Sequence, residues 1–90
     1  MTQATRPRIH HIALTVTDVD SGVRWYEKVF GIRYLMDVPH EGGVGKLLAD
    51  EGLELVIVLH RHDANDGVSF SEWATGLDHV GFRLPRRSDL

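Results

Sequence analysis

The stretch Ile9-His10-His11-Ile12-Ala13-Leu14-Thr15-Val16, followed at once by Asp18 and a periodic run ending at Gly31, decides how this chain folds. The first eight of these residues are β-branched and apolar and read as a strand. Successive strand side chains point to opposite faces, so Ile12, Leu14 and Val16 form one greasy face, and His11, Ala13 and Thr15 a smaller, more polar one. Asp18 is placed to cap a helix, because its carboxylate can accept the orphan amide hydrogens of a first turn. Val19, Gly22, Val23, Tyr26, Val29 and Phe30 then recur at helical spacing and share one stripe. Gly31 sits where a left-handed C-terminal cap belongs. Trp25 lies off the stripe and is expected to mark a contact surface.

Reading outward from there, Ile32 to Val38 is a second strand stopped by Pro39, and Gly42, Gly43 and Gly45 make a flexible turn. Lys46 to Ala49 is a short strand, and Asp50-Glu51-Gly52 a tight turn. Leu53 to His60 reads as the longest strand, with Leu53, Leu55, Ile57 and Leu59 on one face and Glu54, Val56, Val58 and His60 on the other. A polar connection follows, anchored by Phe70 and Trp73. Leu77 to Leu84 is a last strand ended by Pro85. The expected organisation is a disordered lead-in over 1–8, a strand-helix-three-strand module over 9–60, a connecting loop over 61–76, and the start of a second module over 77–90.

The second module is suggested by an internal repeat. Leu77-Asp78-His79-Val80-Gly81-Phe82-Arg83-Leu84 can be laid on Ile9 to Val16, so that His11 falls on His79 and the apolar positions match. Ser88 and Asp89 stand where Asp18 stands in the first copy. A completed second copy would bring the chain to roughly 130 residues, a usual domain size.

Composition narrows the function. With 90 residues the core is marginal. There is no cysteine, so any metal must be held by His, Asp or Glu. A formal charge of −3 argues against nucleic acid as partner, since the basic residues Arg83, Arg86 and Arg87 lack interleaved aromatics. No apolar run is long enough to span a bilayer. Met1 to Arg8 has no apolar segment of the secretory kind, and a cytoplasmic location is the default expectation.

Three polar residues stand out. His11 and His79 each lie on the strand face turned away from the apolar one, and Glu54 interrupts an apolar strand in the same sense. A carboxylate in a central strand needs a cation, because desolvating it unpaired costs several kcal/mol. A metal ion, Arg83 or Lys46 could supply that cation. Two imidazoles and one carboxylate suit a divalent first-row metal with coordination positions left open. His10 is read as structural or exposed, His40 as a solvated loop residue, and His60 and His62 as surface residues at a strand end, with a supporting or substrate role as the alternative.

The histidine strand, the helix ending Trp25-Tyr26-Glu27-Lys28-Val29-Phe30-Gly31, the Leu53-Glu54-Leu55 segment and Leu77-Asp78-His79-Val80-Gly81-Phe82 together resemble the vicinal-oxygen-chelate superfamily of glyoxalases, bleomycin-resistance proteins and ring-cleaving dioxygenases. The resemblance covers about residues 9–84. It implies an α+β fold, a βαβββ module of the glyoxalase type plus the first strand of a second. It implies His11, Glu54 and His79 as metal ligands, with a fourth ligand strand absent. It further implies a divalent ion (Zn, Ni, Mn, Fe or Co), a small-molecule substrate chelated through neighbouring oxygens in a lyase, isomerase or dioxygenase reaction, and Glu54 as the base if it swings off the metal. A homodimer is expected, in which His79 of one copy meets His11 and Glu54 of the other. The alternative is a non-catalytic drug-binding module of the bleomycin-resistance kind.

Overall fold

The computed structural model describes residues 6–84. The expected Pro85 strand stop, the Arg86 and Arg87 cluster, the Ser88–Asp89 cap and most of the lead-in lie outside the described residues. Within them the chain runs β1 (Ile12–Thr15), α1 (Val19–Phe30), β2 (Arg33–His40), β3 (Gly43–Ala49) and β4 (Val56–His62). The four strands make one sheet in the order β1-β4-β3-β2, with β1 parallel to β4 and the other two pairings antiparallel. This is the expected βαβββ module, and β1 reaches its parallel partner β4 through α1, β2 and β3.

Helix α1 forms where its caps place it. Asp18 has an extended backbone, and its carboxylate accepts from the Ser21 amide at 3.1 Å. That backbone bond, with a second from the Ser21 hydroxyl at 2.9 Å, holds the Asp18 carboxyl below its ordinary range. Gly31 closes the helix with a φ of 71°, its amide donating to the Glu27 carbonyl. The helix covers one face of the sheet, and the core lies between them: Val19, Ile32, Leu48, Ile57 and Leu59 are buried, with Leu14, Val23, Tyr26 and Phe30 packed around them. Gly22 lets α1 approach β4 closely, because a Cβ there would sit 2.8 Å from the Leu59 side chain. Val29, expected on the buried stripe, is exposed.

Four boundaries differ from expectation, three of them for a local reason. Strand β1 is shorter than Ile9–Val16. Strand β2 runs through Pro39 to His40, because it is an edge strand where a missing N–H is tolerated. Strand β3 starts at Gly43, so only Gly42, at a φ of 81°, makes the turn. Strand β4 begins at Val56 rather than Leu53. There the Asp50 carboxylate accepts the amides of Glu54 (2.8 Å) and Leu55 (3.1 Å), and Leu53 adopts a φ of 56°. Those amides are therefore spent on a turn. Leu77–Leu84 makes no strand pairing; it returns toward the helix end, where the Phe82 ring meets Phe30 at 4.8 Å. Among the described residues no helix is long and apolar enough to cross a membrane.

Candidate functional site

His11 immediately precedes β1. It is exposed, with its Nδ1 2.8 Å from Nδ1 of His10, whose ring packs edge-on against it. His10 is thus beside His11 rather than on the helix face, because neither residue is yet in the strand. His79 is exposed in the returning segment, with its Nδ1 2.7 Å from the Asp78 carboxylate. Glu54 is exposed in the Asp50 turn, so it needs no buried cation. Lys46 instead pairs with Asp37 at 2.8 Å. Among the described residues, His11, Glu54 and His79 do not gather into a set that one ion could reach. A metal on that triad therefore does not fit a single copy of the chain, and no chemical step follows from it here.

The free edge of β1 borders a cleft of about 920 Å³. Its floor is β1 from Ile12 to Thr15, one wall is the aromatic face of α1 (Trp25, Tyr26 and Phe30), and the other is the returning segment from Phe70 to Phe82. Trp25 packs edge-on against Tyr26 and Phe30, and Phe30 meets Phe82, so the aromatic wall is continuous. Half-burial in this wall pushes the Tyr26 hydroxyl pKa up. Thr15, Ser71, Thr75, Asp78 and His79 supply the polar lining. A concave, mostly apolar site with a few convergent polar groups is the common form of a small-molecule pocket, and its volume falls within the usual range. Trp25, off the helical stripe in the sequence, is accounted for: it faces the cleft.

Three other histidines do come together. In the ladder, His40 of β2 lies opposite Gly43 of β3, and Gly43 opposite His62 of β4; Gly45 lies opposite His60, which is beside Thr15 of β1. Residues directly opposite share a face, and this face is the one turned away from α1. The rings of His40, His60 and His62 are mutual neighbours, with centroids 4.8 to 5.7 Å apart. Burial pushes the His60 pKa down, and neighbouring His40, His62 and His11 add to the effect. The sequence carries a signal for this that went unread: His60-x-His62 and Gly43-x-Gly45 both have the strand period.

One helix over a four-stranded βαβββ sheet, with a cleft at the free edge of the first strand, is a glyoxalase-like architecture. Residues 8–90 match the family model of the Glyoxalase/Bleomycin resistance protein/Dioxygenase superfamily, and the chain belongs to that superfamily. It is similar to a solved glyoxylase/bleomycin resistance protein/dioxygenase domain from Frankia sp. EAN1pec, with 29% identity and a TM-score of 0.84. That likeness covers 94% of this chain and 62% of the Frankia chain, so the relative has further length with no counterpart here. No curated protein matches the sequence.

Proposed function

We propose that this chain binds a small, largely apolar molecule in the cleft beside β1, with an aromatic or aliphatic body against Trp25, Tyr26 and Phe30 and a polar end toward Thr15, Thr75 and the Asp78–His79 pair. The cleft itself is the observation that carries the reading. A flat apolar body gains from displacing water off the aromatic wall, and hydroxyls with one acid–imidazole pair fix which end enters. Trp25 reports on occupancy. In a Trp73→Phe chain it is the remaining tryptophan, and its fluorescence is expected to change saturably with naphthol. Ala13→Phe in the same background, which puts bulk on the cleft floor without adding an indole, abolishes that response. An Ala13→Phe chain that titrates like its parent means the molecule binds elsewhere.

A second reading is metal-dependent chemistry on a substrate with two neighbouring oxygens. It rests on family membership, and on β1 having a free edge while Leu77–Leu84 has no strand partner. Both features suit exchange between copies. In such a homodimer His79 of one copy would meet His11 and Glu54 of the other, and these three would hold a divalent ion whose chemistry would be Lewis-acid stabilisation of an oxyanion. Added Zn²⁺ then strengthens binding of a naphthalene diol with adjacent hydroxyls but not of naphthol, and His79→Ala removes the difference. Equal effects of the ion on both compounds contradict this reading.

A further inference from the structure

We infer that His40, His60 and His62 form a binding site for a divalent first-row metal ion such as Zn²⁺, Co²⁺, Ni²⁺ or Cu²⁺, on the sheet face opposite α1 and separate from His11, Glu54 and His79. The ligand nitrogens of the three residues lie within 4.8 Å of one another. Ligands of a tetrahedral ion with bonds of about 2.1 Å are about 3.4 Å apart, so the set needs to close by little more than an ångström, and His62 is its exposed member.

One of the nitrogens, on His40, already has its lone pair free for an ion. His40 Nδ1 lies 3.1 Å from the Glu41 carbonyl oxygen. A carbonyl only accepts, so Nδ1 carries the proton and donates, and the lone pair is left on Nε2. That nitrogen is buried and meets no hydrogen-bond partner among the described residues; the same is true of His60 Nδ1. A buried ring nitrogen with an unused lone pair is costly unless something electron-poor faces it. A metal-bound histidine commonly donates its other ring N–H to a backbone carbonyl, which fixes both tautomer and ring direction. His40 has that arrangement before any ion arrives.

The strand between them is shaped for the rings. A Cβ on Gly45 would sit 2.8 Å from the His60 ring, and one on Gly43 would meet the Arg61 backbone carbonyl first and then His40 Cε1 at 2.7 Å. The two glycines of β3 therefore let imidazoles from β2 and β4 lie over it and converge. Three neutral imidazoles with no thiolate or carboxylate suit borderline ions and not Mg²⁺ or Ca²⁺, which prefer oxygen. The set leaves a fourth position open, as catalytic rather than structural zinc sites do.

The test is titration of the untagged full chain with Co²⁺, followed by visible absorption and by imidazole-detected NMR. One ion per chain is expected, with the absorption of a four-coordinate nitrogen site, displaced by Zn²⁺ and unaffected by Mg²⁺. His60→Gln and His40→Ala weaken binding by more than about 100-fold, since even supporting residues cost 10- to 100-fold; His79→Ala leaves it unchanged. Should a variant fail to fold, the wild-type spectra still decide: the His40, His60 and His62 rings respond together and His79 does not. No binding by the folded wild type, or a response centred on His11 and His79, overturns the proposal.

Discussion

The carboxylate of Asp50 accepts the amide hydrogen of Glu54 at 2.8 Å, and that bond, with its companion to Leu55, keeps Glu54 out of the sheet. The Asp50 side chain is thus worth more to the fold than the Glu54 side chain. Asp50→Ala is expected to cost about 1.5–3 kcal/mol, the usual worth of hydrogen bonds to a charged group. Glu54→Ala, at an exposed turn position, stays within about 0.5 kcal/mol. Urea denaturation of the two variants orders them; the reverse order means Glu54 has a buried partner in solution.

Gly22→Ala sets two effects against each other. Alanine in place of a helical glycine gains about 1 kcal/mol. The new methyl, however, lies 2.8 Å from the Leu59 side-chain tip, which is fully buried and must shift within the core, and overpacking a tight core costs about 1–3 kcal/mol. The clash should win, and thermal unfolding should show a lower Tm. A higher Tm would place α1 farther from β4 than the structure does.

Acid should weaken the helix end. Asp18 is held below its ordinary range by its bonds to Ser21, and Asp37 by its bonds to Lys46 and Tyr34. A carboxylate whose folded pKa is depressed contributes stability that is present above the unfolded value, near 4, and lost as pH falls through the folded value. Stability is therefore expected to decline below about pH 4, and Asp18→Asn and Asp37→Asn should each flatten the decline. An unchanged slope in both variants contradicts the assignment.

The mass in solution bears on the second functional reading. The exchange reading predicts twice the 10.1 kDa of one chain by light scattering across a wide concentration range, with the β1 edge covered, whereas the open cleft beside β1 requires that edge to stay free. A compact species of one chain's mass at every concentration removes the exchange model, along with the shared His11–Glu54–His79 centre.

Much of this was legible in the residues. Asp18 and Gly31 bracket the helix because capping is local chemistry, and the alternation in Ile12–Leu14 and Ile57–Leu59 faces the core because strand period is local too. The start of β4 was not legible, since it depends on where the Asp50 side chain bonds. Nor was the His40–His60–His62 cluster: His40 reads as a loop residue until β2 is seen to run through Pro39, and its neighbours are set by a register that periodicity alone leaves free. The cleft was foreshadowed only by Trp25, because its second wall comes from a returning segment with no strand or helix pattern.

Whether the cleft beside β1 holds a small apolar ligand is decided by backbone and tryptophan-indole NMR of the full chain, recorded as naphthol is added. Saturable shifts are expected at Ala13, Thr15, the Trp25 indole, Thr75 and His79, with the Gly43–Gly45 face and the Trp73 indole unmoved. Shifts scattered over the surface, or centred away from β1 and α1, would contradict binding in the cleft.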